Sequence, residues 1–276
     1  MKKILTILLS AVIVISSCAT ASLNLLPDKN SLPEQTESTD IISEENPVQN
    51  TAQSELSAAQ EESNAVLNEK KKPMIALTFD DGPCELTDSI LDILERYNVR
   101  ATFFVQGQFV EKRQDTIRRA VKNGNEVAGH TWRHNRLSDL SNKDMAETIV
   151  TTSAIIEQIT GVPSPRFFRP PYGHIDWRVK NVCAGLGYAL INWTVDPQDW
   201  RLLNADKIYI EVMNTVRENS IVLLHDIFST TKTAAERIIP ALIEKGYELV
   251  TVSELMSHLY EELKPGTVYG AYGLRH

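Results

Sequence analysis

Met74-Ile75-Ala76-Leu77-Thr78-Phe79, followed at once by Asp80-Asp81-Gly82-Pro83, is the stretch on which the fold turns. The first six residues form an apolar run of strand length. The deciding feature is what stands at its end. An open doubly wound sheet places a glycine-rich phosphate loop after its first strand, whereas two adjacent carboxylates stand here and would repel a phosphate. Working outward, this run is the first of seven strand candidates, at 74–79, 101–105, 126–129, 166–169, 189–195, 220–224 and 248–252. Helix-period stretches lie between them. Residues 87–97 put Ile90, Leu91 and Leu94 on one face, and residues 141–159 repeat Met145, Ile149, Ile156 and Ile159. Ser141 stands three residues before Asp144, an N-cap signature. Strands alternating with helices imply parallel pairing through right-handed crossovers. The pattern predicts an α/β fold: a distorted (β/α) barrel of about seven parallel strands, preceded by a disordered linker, rather than two domains.

The rest of the chain is organised around that domain. Lys2 and Lys3 precede an apolar run over residues 4–15, too short to cross about 30 Å of hydrocarbon as an ordinary spanning helix. It reads as an export signal. Ile15-Ser16-Ser17-Cys18 resembles the bacterial lipobox, so Cys18 is expected to be lipidated and to anchor the chain in a membrane. The alternative is an ordinary signal peptide cut near residues 19–21. Residues 19–72 hold ten acids against four lysines and few large apolar side chains, too little to bury for folding. The expected organisation is a lipoprotein-type signal at 1–18, a disordered acidic linker at 19–72, a catalytic domain at 73–263 and a tail at 264–276. That tail, with Gly266, Gly270 and Gly273, shows no helical or strand period. The formal net charge of −8 comes without a phosphate-neutralising stripe, so nucleic acid is set aside as a partner. Besides Cys18 the chain has Cys84 and Cys183, one beside the first strand end and one on a helix, which read as free thiols.

In such a barrel the chemistry sits at the C-terminal ends of the strands. Reading only those positions yields Asp80 and Asp81, His130 with His134, Arg169, Asp196 and Asp199, then His225 and Asp226. Each group taken singly has an ordinary reading. Asp-Asp-Gly-Pro is also a turn sequence, two histidines four apart are a weak metal signal without a third ligand, and His225-Asp226 is also a strand terminus reaching solvent. Five strand ends bearing such groups at one end of one barrel are hard to reconcile with all the ordinary readings together.

Thr78-Phe79-Asp80-Asp81-Gly82-Pro83, His130-Thr131-Trp132-Arg133-His134, Arg169-Pro170-Pro171-Tyr172-Gly173, Asp196-Pro197-Gln198-Asp199-Trp200 and Leu223-Leu224-His225-Asp226 resemble, in order, the five motifs of the polysaccharide deacetylase (NodB-homology) family of carbohydrate esterases. The resemblance runs from about Lys72 to Leu263. It implies a distorted barrel, one divalent metal ion and hydrolysis of the acetamide of an N-acetylated sugar. One carboxylate and two imidazoles, here Asp81, His130 and His134, leave positions open for water and substrate. Zinc is the expected ion, and Co2+, Ni2+, Mn2+ or Fe2+ suits the same set. The resemblance assigns Asp80 as the base, Arg169 as the partner that keeps it ionised, and Asp199 as the carboxylate that orients His225. A histidine of near-neutral pKa opposite the base suits protonation of the departing amine, the role expected of His225.

The resemblance also implies that the Tyr172 backbone N–H helps stabilise the oxyanion. Tyr172, Trp200 and Leu223 are expected to shape a slot for the acetyl methyl and the sugar face; the alternative is that they are ordinary core residues. His174, His258 and His276 read as surface residues, and Asp196 and Asp226 as loop-holding groups. The expected function is deacetylation of N-acetylhexosamine in a cell-envelope polysaccharide, foremost the N-acetylglucosamine of peptidoglycan, by an exported protein lipid-anchored to the outer face of the cytoplasmic membrane. Secretion without an anchor is the alternative location. Chitooligosaccharide deacetylation, deacetylation of muramic-acid residues and O-acetyl xylan hydrolysis are alternatives within the family. Outside it stand an iron oxygenase, which does not account for Asp80, Arg169 and His225 together, and a non-catalytic glycan-binding lipoprotein, for which binding alone requires no base and acid on opposite sides. No protein partner is expected.

Overall fold

A computed structural model describes residues 72–270. The expected export signal, Cys18, the linker up to residue 71 and residues 271–276 lie outside the described residues. The strands in chain order are β1 (Met74–Asp80), β2 (Thr102–Val105), β3 (Glu126–Gly129), β4 (Phe167–Phe168), β5 (Ala189–Ile191), β6 (Ser220–His225), β7 (Glu248–Val250) and β8 (Val268–Tyr269). The order across the sheet is β6-β1-β2-β3-β4-β5-β8, with β7 also paired to β1, and every ladder is parallel. Val195, just past β5, bridges to Val222 of β6 and brings the flanks of the curl together. The expected distorted barrel is therefore present, with the seven expected strands and an eighth, β8, beyond them.

Side-chain alternation along β1 makes two layers. Ile75, Leu77 and Phe79 pack outward in a cluster with Ile90, Leu94 and Ile238 of the surrounding helices. Ala76 faces the interior with Phe104, Ala128, Phe167, Ile191, Ile221 and Val250. Each such apolar side chain, fully buried, contributes about 1.5–3 kcal/mol. Because the strand period is two, the interior face that carries Ala76 also carries Thr78 and Asp80 toward the strand end. The same alternation on β6 places Leu223 and His225 in line with Ile221.

Helix boundaries follow local capping. The helix Glu85–Arg96 realises the 87–97 expectation, and Asn142–Thr160 begins where Ser141 Oγ accepts the Asp144 N–H and ends at Gly161 in the left-handed region. Two strand expectations need correction. The run 189–195 is not one strand: β5 ends at Ile191, and the Thr194 and Val195 N–H groups turn to the Ile221 carbonyl of β6. The run 248–252 ends at Val250, because Thr251 and Glu254 form a capping box that starts the helix Val252–Leu259. The tail also contributes to the sheet: the Leu190 and Asn192 N–H groups donate to the carbonyls of Thr267 and Tyr269.

Candidate active site

The interior-facing end of β1 sets the first carboxylate. Asp80 is buried, and Arg169, fully buried just beyond β4, donates from Nη1 to Asp80 Oδ1 at 2.7 Å and to Thr78 Oγ1 at 2.7 Å. The rest of the guanidinium donates to the Ile191 and Asn192 carbonyls and lies 4.0 Å from the Phe104 ring centroid. Burial pushes the Asp80 carboxyl up, and the charge of Arg169 pulls it back toward the ionised form.

Asp81 points elsewhere because its backbone does. At φ 81 it occupies the left-handed region, which turns its side chain away from the strand alternation and toward the loop after β3. There Asp81 Oδ1 lies 3.3 Å from His134 Nε2 and 3.7 Å from His130 Nε2. One ligand atom from each of these three residues falls within 4.8 Å of the others. His130 Nδ1 is 2.7 Å from the Arg169 carbonyl. A carbonyl only accepts, so that nitrogen carries the proton and Nε2 presents its lone pair. Burial lowers the His130 pKa to about 3, which keeps the ring neutral despite the nearby Asp81 charge. Nε2 thus faces Asp81 Oδ1 at 3.7 Å and Asp80 Oδ2 at 3.8 Å, lone pairs converging on a gap that a cation satisfies. The donor set and this convergence fit a divalent metal ion.

His225, at the end of β6, takes its orientation from Asp199. Its Nδ1 is 2.7 Å from Asp199 Oδ1, its backbone N–H donates to Asp199 Oδ2, and Thr231 Oγ1 donates to the same oxygen. Burial alone lowers the His225 pKa, but the hydrogen bond and charge of the fully buried Asp199, with Asp80 and Asp81 beyond, push it up to about 9. Tyr172 and Trp200 are 60% and 51% exposed, open to a ligand, whereas Leu223 is 4% exposed. Tyr172 sets its ring edge-on to His134, with centroids 4.6 Å apart. Asp81, Thr131, His134, Tyr172 and Gln198 all adopt positive φ, and non-glycine residues held in such regions cluster at functional sites.

Among the other polar residues, Asp196 Oδ1 accepts the Gln198 N–H, as expected of a loop-holding group. Asp226 differs from that expectation: its carboxylate accepts from Thr87 Oγ1 rather than from loop backbone, and burial raises its pKa to about 7. It packs so closely on Gly82 that a Cβ there would lie 2.1 Å from Oδ2, so glycine is required. His174 is exposed, Cys183 is buried, and Cys84 Sγ donates to the Asp226 carbonyl. The sequence reading missed Gln106, which follows β2 and donates from Nε2 to Asp81 Oδ1 at 3.2 Å. The strand-end rule pointed to that position, but an amide carries no charge to draw notice.

A family model described as polysaccharide deacetylase matches residues 67–191. The peptidoglycan-N-acetylmuramic acid deacetylase PdaC of Bacillus subtilis is 44% identical over 183 residues, 66% of this chain and 38% of its own. Its solved structure aligns with a TM-score of 0.65 at 42% identity, covering 68% of this chain and 91% of the solved one. This chain thus spans well under half of that relative's full length. A chitooligosaccharide deacetylase of Sinorhizobium fredii is 37% identical over 189 residues, 63% of this chain and 88% of its own. The structure of a family 4 acetyl xylan esterase from Clostridium thermocellum, in complex with a cobalt ion, aligns with a TM-score of 0.66 at 34% identity, covering 73% of this chain and all of that one.

Proposed function

The chain belongs to the polysaccharide deacetylase family, and from that membership we propose that it is a metal-dependent hydrolase of the acetamide of N-acetylhexosamine residues in a cell-envelope polysaccharide, foremost the N-acetylglucosamine of peptidoglycan. The observation that carries this reading is one cluster in which an Arg169-paired Asp80 borders the Asp81, His130 and His134 set, with an Asp199-held His225 close enough for its charge to act on Asp80. Asp81, His130 and His134 would hold a divalent ion, with zinc the expected one and Co2+, Ni2+, Mn2+ or Fe2+ suited to the same donors, and such an ion would supply Lewis-acid chemistry toward a water molecule and the acetyl carbonyl.

Asp80, kept available as a base by Arg169, accepts the proton of the attacking water. His225, protonated on Nδ1 toward Asp199, gives the proton on Nε2 to the departing amine nitrogen. The exposed rings of Tyr172 and Trp200 are read as sugar contacts and the buried Leu223 as a contact of the acetyl methyl, and the Tyr172 backbone N–H is read as a support for the oxyanion. The Ile15-Ser16-Ser17-Cys18 sequence supports anchoring by a lipid on Cys18 at the outer face of the cytoplasmic membrane, beside that polymer.

Acetate release by the full-length chain tests this, from peptidoglycan and from N-acetylglucosamine oligomers side by side. Release from peptidoglycan that a chelator abolishes and zinc restores is the expected result. Release from oligomers alone keeps the chemistry and overturns the wall assignment, and release from neither overturns the hydrolase reading.

The acid role carries a pH dependence. The form of His225 that acts is the protonated one, and its raised pKa keeps that form populated through neutrality, so kcat/KM is expected to fall as pH rises toward about 9. A bound cation offsets the contributions of Asp80 and Asp81, which places the limb of the loaded enzyme at or below that value. Asp199→Asn removes the charge that opposes burial and is expected to move the limb toward neutrality. A limb that stays in place on this substitution would assign the alkaline pKa to another group.

A further inference from the structure

Gln106 and Gln108 take no part in the reaction as described, yet their placement is specific. Asp81 N–H donates to the Phe104 carbonyl at 3.1 Å and Gln106 N–H donates to the Gly82 carbonyl at 2.9 Å, so the end of β2 is tied on both sides to the Asp80–Gly82 turn. From that tie the buried Gln106 side chain sets Nε2 3.2 Å from Asp81 Oδ1. The same oxygen faces both imidazoles, His134 Nε2 at 3.3 Å and His130 Nε2 at 3.7 Å. Gln106 therefore holds the oxygen that is offered to a metal. Behind it, Gln108 Nε2 donates to Gln106 Oε1 at 2.9 Å.

The polarity of this chain is dictated by chemistry. An ionised carboxylate only accepts, so Gln106 must turn its NH2 toward Asp81 and its carbonyl away. Alone, a carboxamide can rotate by half a turn and present oxygen to oxygen. The Gln108 NH2, donating to the Gln106 carbonyl, reinforces the orientation that Asp81 demands. Asp81 needs an external hold because it stands in a loop, at a φ of 81 that most side chains avoid, rather than within a ladder.

We propose that Gln106 and Gln108 form a two-amide relay that fixes Asp81 Oδ1 in its ligand position, with Gln106 a positioning residue for the divalent cation and Gln108 the residue that reinforces the polarity of Gln106. The inference rests on the reading of Asp81, His130 and His134 as metal ligands. Outer partners of this kind typically tune metal affinity by a factor of about 10–100.

The test is zinc affinity of the metal-free full-length chain, titrated in competition with a chelating dye, alongside thermal melting of the same metal-free proteins. Gln106→Met keeps the length of the side chain without its amide and is expected to weaken zinc about 10- to 100-fold. Gln108→Glu replaces the donor by an acceptor, which draws the Gln106 NH2 toward itself and turns the carbonyl on Asp81; zinc is expected to weaken here too. The sign is diagnostic, because simple attraction by the added negative charge would tighten zinc. In a Gln106→Met background Gln108→Glu is expected to weaken zinc no further, since Gln108 acts only through Gln106. Melting close to the wild type is expected for Gln108→Glu, whose site is partly exposed, so that variant tests the relay even if Gln106→Met folds poorly. Unchanged affinity in Gln106→Met, tighter zinc in Gln108→Glu, or additive losses in the double variant would overturn the relay. A wild-type chain that takes up no zinc would instead overturn the ligand assignment, and the relay with it.

Discussion

Arg169→Met is expected to lower the free energy of unfolding by about 3–5 kcal/mol, the usual cost of removing one partner from a buried ion pair. In a domain of this size that corresponds to a fall in melting temperature of roughly 6–20 °C. The guanidinium is fully buried and donates to Asp80, Thr78 and the carbonyls of Ile191 and Asn192, so methionine fills much of the volume and none of those bonds. The largest part of the cost falls on Asp80, whose carboxylate would remain buried without the cation that pulls its pKa down.

The sign with pH follows from that. Burial raises the folded-state pKa of Asp80 above its unfolded value, and losing Arg169 raises it further. Such a carboxyl destabilises the fold above its unfolded pKa, and the penalty disappears as pH falls below it. The gap in melting temperature between wild type and Arg169→Met is therefore expected to narrow in acid. A gap that is constant with pH would place the cost in the lost carbonyl contacts instead. Arg169→Lys restores charge without the planar fork and is expected to recover only part of the stability.

Asp80→Asn is expected to reduce acetate release by a factor of about 10² to 10⁴, the usual contribution of a positioned base. Asparagine keeps the shape of the side chain but cannot accept the proton of the attacking water. Asp80 is outside the ligand cluster formed by Asp81, His130 and His134, so zinc content is expected to persist in the variant. Retained metal with lost turnover separates a base from a ligand, whereas loss of zinc would move Asp80 into the ligand set. Glycan binding that survives the substitution would fit the same result. Near-wild-type turnover would give the base role to another group. A drop in melting temperature is also expected, because Arg169 then lacks its buried counter-charge.

Much of this is legible in the sequence. Alternation of strand-length apolar runs with helix-period stretches fixed a parallel barrel, since period two and period 3.6 are properties of the backbone that local sequence cannot escape. The places where polar residues interrupt the apolar runs marked the strand ends, and with them Asp80, Asp81, His130, His134, Arg169, Asp199 and His225. Chain turns that depend on neighbours were less legible. Beyond the end of β5 at Ile191 the Thr194 and Val195 N–H groups turn to the carbonyl of Ile221, and β8 exists only because β5 offers it an edge.

The division between Asp80 and Asp81 belongs to tertiary structure altogether. Two adjacent identical side chains carry the same local chemistry, and the sequence ranks them only by family resemblance. Residues far along the chain separate them: Arg169, 89 positions away, claims Asp80 on the interior face, while the loop after β3 and Gln106 receive Asp81 through a left-handed turn. Asp199 likewise becomes the partner of His225 only when the loop after β5 folds against β6. The sequence by itself determined which chemical groups gather at the open end of the barrel, because periodicity alone carries them there. Which group faces which was decided by contacts between distant segments, because a hydrogen bond is set by distance and direction in space and neither is encoded in local order.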